Sequence, residues 1–332
     1  MEIVTRAQVP SPRQRAVRRT GFGRVAGTAL AIALAIAGPA WSAPRETLAP
    51  RVAAPGDAGA GQQPSEVWES LRYRGRNWLA RFSVEIEMQL PEPGRKRAVD
   101  ADWVAELRTS LDSVLLSDKS TQIRAYFDPI TGVVRRLTQL SMGPRPDFKS
   151  YEFQADGVMR IRSEPVRGQT LQSPERWPGG QRAFYGYDPG ELGCRVVSNP
   201  AALAWWLTWG PAASSARVQD PEVCYFLGKT LYSVAFEALG TSAARVDYQL
   251  VREGRSRRRH GRVRVERYRV ICRPIAGKLD EKTLVAEILL DAENRLPWRF
   301  VTREGPLRID VELDRAVLRE PALLASGSSL VD

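Results

Sequence analysis

Polar and apolar residues alternate one for one along Arg81 to Leu90. Phe82, Val84, Ile86, Met88 and Leu90 fall on one side of an extended backbone, and Arg81, Ser83, Glu85, Glu87 and Gln89 on the other. The pattern predicts a strand with one buried and one wet face, roughly 30 Å long at the usual rise per residue. The same period returns at intervals to residue 313. Gln122 to Phe127 and Val133 to Met142 flank Asp128-Pro129-Ile130-Thr131-Gly132, and Lys149 to Gln154 and Val158 to Arg162 flank Asp156-Gly157, so both pairs read as hairpins. Tyr232, Val234 and Phe236 alternate, as do Val246, Tyr248 and Leu250. Val263 and Val265 keep one phase while Tyr268, Val270 and Cys272 keep the other, which predicts a bulge near Glu266 and Arg267. Leu284 to Leu290 and Leu296 to Phe300 flank the turn Asp291-Ala292-Glu293-Asn294. Leu307, Ile309, Val311 and Leu313 then alternate with Arg308, Asp310, Glu312 and Asp314, the wet face of a last strand before a polar tail.

Other stretches are less regular. Glu66 to Trp78 fits a short helix or an opening strand. Trp103 to Leu116 carries apolar residues at both helical and strand spacing, but Thr109, Ser110, Asp112 and Ser113 are poor helix formers, which favours a strand. Ser163 to Gly190 is a long loop rich in Pro and Gly, holding Trp177, Tyr185 and Tyr187. One helix is marked: Asn199 suits the N-cap, Pro200 the first helical position and Gly210-Pro211 the stop, so Ala201 to Trp209 spans about two turns. With no repeat and no strand-helix alternation, the fold class is mainly β: a large curved antiparallel sheet, a half-barrel or open barrel, with one short helix near 200–209. A flat sheet this wide would leave its apolar face in water.

Composition divides the chain. The net charge is +11, and six arginines against Glu2 in residues 1–43 account for five of those charges. The Arg-rich start is followed by the apolar run Val25 to Ala37 and by Ala40-Trp41-Ser42, small residues at the positions a signal peptidase reads. Residues 1–42 therefore read as a secretory signal peptide, with an uncleaved N-terminal anchor as the rival. Residues 43–64, mostly Ala, Gly and Pro, read as a flexible linker. A single antiparallel domain is expected over 65–318, and a C-terminal tail over 319–332. Export points to the periplasm and makes nucleic acid a poor partner.

The order of features resembles the DUF3108 group of exported bacterial proteins, whose sheets look like the half-barrel of the LolA and LolB lipoprotein carriers. Carrying the resemblance are Phe127-Asp128-Pro129 with Thr131-Gly132, Lys149-Ser150-Tyr151-Glu152-Phe153 with Asp156-Gly157-Val158, and Leu290-Asp291 with Arg295-Leu296-Pro297-Trp298-Arg299. It spans most of residues 80–315 and implies an envelope location and an apolar concavity. The group has no catalytic residues to transfer.

Candidate chemistry is sparse. His260, the single histidine, sits in Arg255-Ser256-Arg257-Arg258-Arg259-His260-Gly261, read as a solvated hairpin tip with neither an orienting carboxylate nor a nucleophile beside it. Arg255, Arg257, Arg258 and Arg259 are candidates for contact with an anionic envelope surface, against a solvated turn. Trp205, Trp206 and Trp209 cannot share one face of a two-turn helix, so they are candidate ligand contacts at a sheet mouth, against a core plug. Of Cys194, Cys224 and Cys272, an exported chain pairs two, either Cys194 with Cys224 or Cys224 with Cys272. No metal cluster, cofactor motif or phosphate loop is present. The expected function is non-enzymatic: an envelope protein binding lipid, another apolar ligand or a partner segment in its curved sheet. The alternative is a structural or assembly factor with a filled interior, whose partner is an envelope protein or anionic glycolipid. A hydrolase using carboxylates brought together by folding is a third reading.

Overall fold

The computed structural model describes residues 67–76, 80–89, 103–113, 119–127, 133–166, 168–178, 180–188, 190–194, 196–198, 223–277, 283–294, 296–304 and 307–319. Its strands are β1 (Val67–Arg76), β2 (Ala80–Gln89), β3 (Trp103–Ser113), β4 (Lys119–Phe127), β5 (Val134–Met142), β6 (Asp147–Gln154), β7 (Gly157–Ser163), β8 (Gln181–Gly186), β9 (Val196–Ser198), β10 (Val223–Leu227), β11 (Thr230–Arg252), β12 (Arg255–Ala276), β13 (Leu284–Asp291), β14 (Leu296–Glu304) and β15 (Leu307–Arg319). All fifteen join one curved sheet, in the order β8-β7-β6-β5-β4-β3-β2-β1-β15-β14-β13-β12-β11-β10-β9. The mainly β, antiparallel architecture expected from the alternation is what the chain builds. Two pairings depart from it, β9 with β10 and β11 with β15, both parallel. The opening segment is a strand, and the long loop after Ser163 contains β8 and one 3-10 turn, Pro174–Arg176. The helix expected over 201–209, the leader, the linker and residues 320–332 lie outside the described residues.

Period-two segregation explains the core. Ile86, Leu107 and Ile123 stand opposite one another across β2, β3 and β4, so their side chains share a face. Val84, Ala105, Leu107, Ala125 and Phe127 on that face are fully buried. They join Val311, Phe300, Ile288 and Tyr248 from the other half of the chain in one continuous cluster. Hiding this apolar area is the main stabilising contribution, about 25 cal/mol per Å² removed from water.

The first and last strands form the seam between the halves. Val67 of β1 pairs with Arg319 of β15 and Gly75 with Val311. Beneath it, the Tyr73 hydroxyl donates to the Pro297 carbonyl at 2.7 Å and its ring meets Phe300 edge-on at 5.1 Å. On the wet face Arg72 Nε donates to Asp314 at 2.8 Å, and Arg299 grips Asp310 with two hydrogen bonds of 2.8 and 2.6 Å. The register shift between Arg72 and Tyr73 skips Asp314 on β15. The buried set therefore passes from Leu313 to Ala316 and Leu318, and pairing continues beyond the alternation visible in the sequence.

Strands β11 and β12 are continuous, at 23 and 22 residues, where the sequence shows shorter runs. A register shift between Ala238 and Gly240 places Leu239 as the extra residue, opposite Arg267 and Tyr268. The bulge thus occurs where the phase change predicts it, but on the partner strand. Past it the hairpin arches over the β13–β14 turn, and Gln249–Arg252 pair with Arg315–Leu318 on the β15 edge that also carries β14. Strands β11 to β15 thereby close a small ring within the larger sheet.

Gly75 is required by this packing. A Cβ there would lie 2.3 Å from the Asp310 carbonyl oxygen and 2.7 Å from Val311 Cγ1. Gly75→Ala is expected to lower stability by about 1–3 kcal/mol in urea unfolding. Exposed Glu69→Ala, on the same strand, should stay within about 0.5 kcal/mol.

Candidate functional site

Two regions of the sheet carry side chains that its packing alone does not call for. The first is where the sheet's ends meet. Strand β10 is shielded on both faces: Tyr225 stacks on Tyr232 with centroids 5.4 Å apart, while Phe226 points the other way, toward Tyr151, Phe153 and Tyr185 at 6.1, 6.3 and 5.5 Å. Those three rings sit on β6 and β8, near the opposite end of the strand order. The sheet therefore bends until β10 lies against its other end. A disulfide between Cys194 and Cys224, with Cα atoms 5.5 Å apart, ties β10 to the segment before β9. Loop-closure entropy for a span of this size is worth about 3–4 kcal/mol.

The register decides between the two pairings left open by the sequence. Cys224 stands opposite Ser233 and Cys272 opposite Val234, consecutive residues of β11, so the two sulfurs lie on opposite faces of the sheet. Cys272 is buried as a free thiol, and burial pushes its pKa far above the usual value.

Beside the aromatic contact, the buried face turns polar. The row Ile86–Leu107–Ile123 continues across β5, β6 and β7 as Gln139, Lys149 and Arg162, and the next row ends in Ser141 and Asp147. Asp147 accepts from Arg162 at 3.2 Å and lies 3.1 Å from Lys149 Nζ. Arg160, opposite Tyr151, holds its guanidinium 5.3 Å over the Tyr185 ring. Its Nε is shielded and has no hydrogen-bond partner among the described residues. Arg162 also pairs with Glu164 at 2.7 Å, so three cations meet two carboxylates, and the cation left over, Arg160, suits an anionic group. Sequence reading missed this flank, although its signal was present: Asp147, Lys149, Arg160 and Arg162 occupy the phase that carries Tyr151, Phe153 and Val158.

The second region is the outer part of the β11–β12 hairpin. The turn lies at Glu253 and Gly254, so the basic run and His260 belong to strand β12 and not to a solvated tip. Arg258 grips Asp247 with two hydrogen bonds of 2.7 Å. That hydrogen bonding, with the charges of Arg258 and His260, draws the Asp247 carboxyl down to about 2. Arg259 pairs with Glu293, and its Nε lies 3.5 Å from Asp291. Arg255 and Arg257 are exposed. His260 Nδ1 lies 3.6 Å from Asp247 Oδ1, and its Nε2 accepts from Arg245 at 3.4 Å. An orienting carboxylate is thus present beside His260, contrary to the sequence expectation, but the neighbour on Nε2 is a guanidinium and not a nucleophile.

Among the described residues, Glu106 and Asp291 have wholly shielded carboxylates, and both are saturated with donors. Asp291 accepts from the Tyr248 hydroxyl at 2.8 Å and from the Glu293 and Asn294 amides at 3.0 and 3.3 Å. Glu106 accepts from Arg108, Gln122 and Arg124 at 2.6, 2.6 and 2.9 Å. Burial raises the pKa of Glu106, but hydrogen bonds from Gln122 and Arg124 and the charges of Arg124 and Arg108 outweigh it, leaving the carboxyl below its usual value. Among the described residues no group of His, Cys, Asp and Glu is placed to hold a metal ion. Trp205, Trp206 and Trp209 lie outside the described residues. Comparison with protein-family models, curated proteins and solved structures returns no match for the chain.

Phe226→Ala should cost about 3–5 kcal/mol in urea unfolding, as the ring leaves a cavity among three aromatic side chains. The Asp247 carboxyl should titrate near pH 2 by NMR and move toward its ordinary value of 3.8 in Arg258→Gln. Because the folded pKa is depressed, this carboxylate favours the fold at neutral pH, and its contribution is lost as pH falls from about 4 through about 2.

Proposed function

We propose that the chain is an exported, non-enzymatic protein of the cell envelope, a structural or assembly factor whose sheet interior is filled by its own side chains. The carrying observation is the continuous cluster of buried residues drawn from both halves of the sheet, in which Leu71, Val84, Leu107, Phe127 and Val311 have no exposed surface. A carrier of apolar cargo needs a concave apolar face open to that cargo, and these positions are taken by intramolecular contacts. Phe226 of β10 occupies the curve as a bound partner segment would. Support for export comes from the leader pattern, the disulfide and the resemblance to the DUF3108 group. The donor-saturated states of Glu106 and Asp291 favour structural over catalytic work.

A second reading keeps a ligand. In it an amphipathic molecule sets an anionic head against Lys149, Arg160 and Arg162, and the shielded Arg160 Nε supports it. Native mass spectrometry of the protein purified from the envelope separates the two. The scaffold reading expects the mass of the polypeptide alone. A stoichiometric lipid adduct that Arg160→Gln abolishes would overturn it in favour of the ligand.

A further inference from the structure

On the outer face of the β11–β12 hairpin, Arg245 stands directly opposite Arg262 in the antiparallel ladder. Arg264 follows two residues along the same face, about 7 Å further on. Like charges placed directly opposite each other destabilise a sheet, and the usual remedy is an intervening acid. Of the carboxylates on that face, Asp247 is held by Arg258 through both of its oxygens, and Glu266, two residues beyond Arg264, accepts from the Tyr268 hydroxyl at 3.0 Å. Arg245, Arg262 and Arg264 are exposed, and no ion pair joins any of them to an acid among the described residues. Among the described residues the Arg245 side chain contacts only the ring nitrogen of His260, which carries no negative charge.

The rest of the face is polar apart from Val251, opposite Ser256, which is buried. Gln249 and Asp247 on β11 and Ser256, Arg258 and His260 on β12 share it and are exposed, and Ala243, opposite Arg264, is too small to cover a neighbour. Of the hairpin's apolar residues, Val246, Tyr248, Leu250, Val251 and Val265 are buried and Val263 is half-buried against the core. A cationic ribbon with no exposed apolar anchor lies against a negative surface without inserting into it. Guanidinium forks match phosphate oxygens in geometry as well as charge.

We propose that Arg245, Arg262 and Arg264 form a docking face for the phosphate-bearing headgroups of an anionic membrane surface. The inference rests on the exported-envelope reading, which supplies that surface. It involves neither the filled interior nor the Arg160 flank. Arg255 and Arg257 lie on the alternate face of the ribbon, opposite Arg252 and Leu250, and are not part of it.

The test is flotation of the full chain with vesicles of phosphatidylcholine alone or mixed with phosphatidylglycerol. The comparison is a triple variant, Arg245→Gln with Arg262→Gln and Arg264→Gln, which keeps the same leader. Partition onto the anionic vesicles should fall roughly 100-fold in the variant, the combined effect of three arginines near such a surface, and binding by the unaltered protein should decline steeply with added salt. Arg262→Gln alone should also bind more weakly, with an unchanged or raised thermal midpoint because it removes the cross-strand repulsion. Equal partition of the triple variant and the unaltered protein, or equal binding to both vesicle types, would overturn the proposal. A lipid adduct in native mass spectrometry would overturn the filled-interior reading and leave this comparison intact.

Discussion

The pairing of the first described strand with the last is the contact on which the architecture depends. Strand β1 has β2 on one side and β15 on the other, so the N-terminal meander and the C-terminal strands form one sheet only through this seam. Without it each half would expose an apolar face. With it, Leu71 and Tyr73 lie at the centre of a cluster shared by both. The approach is close enough to demand a residue without a side chain at Gly75, and the seam is registered on its wet side by Arg72 with Asp314. Contacts between residues so distant in sequence carry a large loop-closure cost, which the buried area must exceed.

Curvature completes what the seam begins. Each end of a sheet is a row of unsatisfied backbone groups and a hazard for pairing with other chains. Here the strand order ends in β8 on one side and β9 on the other, and the aromatic contact between β10 and β6–β8 draws the two ends together. The β11–β12 arch adds a second closure, held by β15 and by the Tyr248 hydroxyl on Asp291. Charge stays mainly on the opposite face. Arg72, Arg299, Arg267 and Arg108 are each matched to carboxylates on neighbouring strands, so their charges are neutralised in place.

Most of the architecture was legible because one side of nearly every strand is buried, and such strands announce themselves by alternation. Phe82 to Met88 and Leu307 to Leu313 show it most plainly. What was hidden has a physical cause in each case. Strand β10 is short and packed from both sides, so Tyr225 and Phe226 are consecutive and both buried, and no period of two exists to be read. The continuity of β11 is obscured by exposed small residues from Thr241 to Ala243, which bury nothing and still extend the ladder. The polar flank around Asp147 and Arg162 is obscured because charged residues in an alternating strand ordinarily mark its wet face, whereas the phase of these places them inside. The opposition of Arg245 and Arg262 depends on cross-strand register, which residue spacing alone does not reveal.

The position of the third cysteine bears on how the chain is oxidised. While unfolded, all three thiols are open to exchange, and any of the possible bridges can form. Once β11 is laid between Cys224 and Cys272, the two sulfurs are walled apart, and burial keeps the Cys272 thiol from forming the reactive thiolate. A molecule that oxidises the wrong pair cannot complete the ladder, so assembly of the sheet acts as a proofreader of its own cross-link. The spare sulfur then persists as an inert filler, harmless for as long as its strand stays in place.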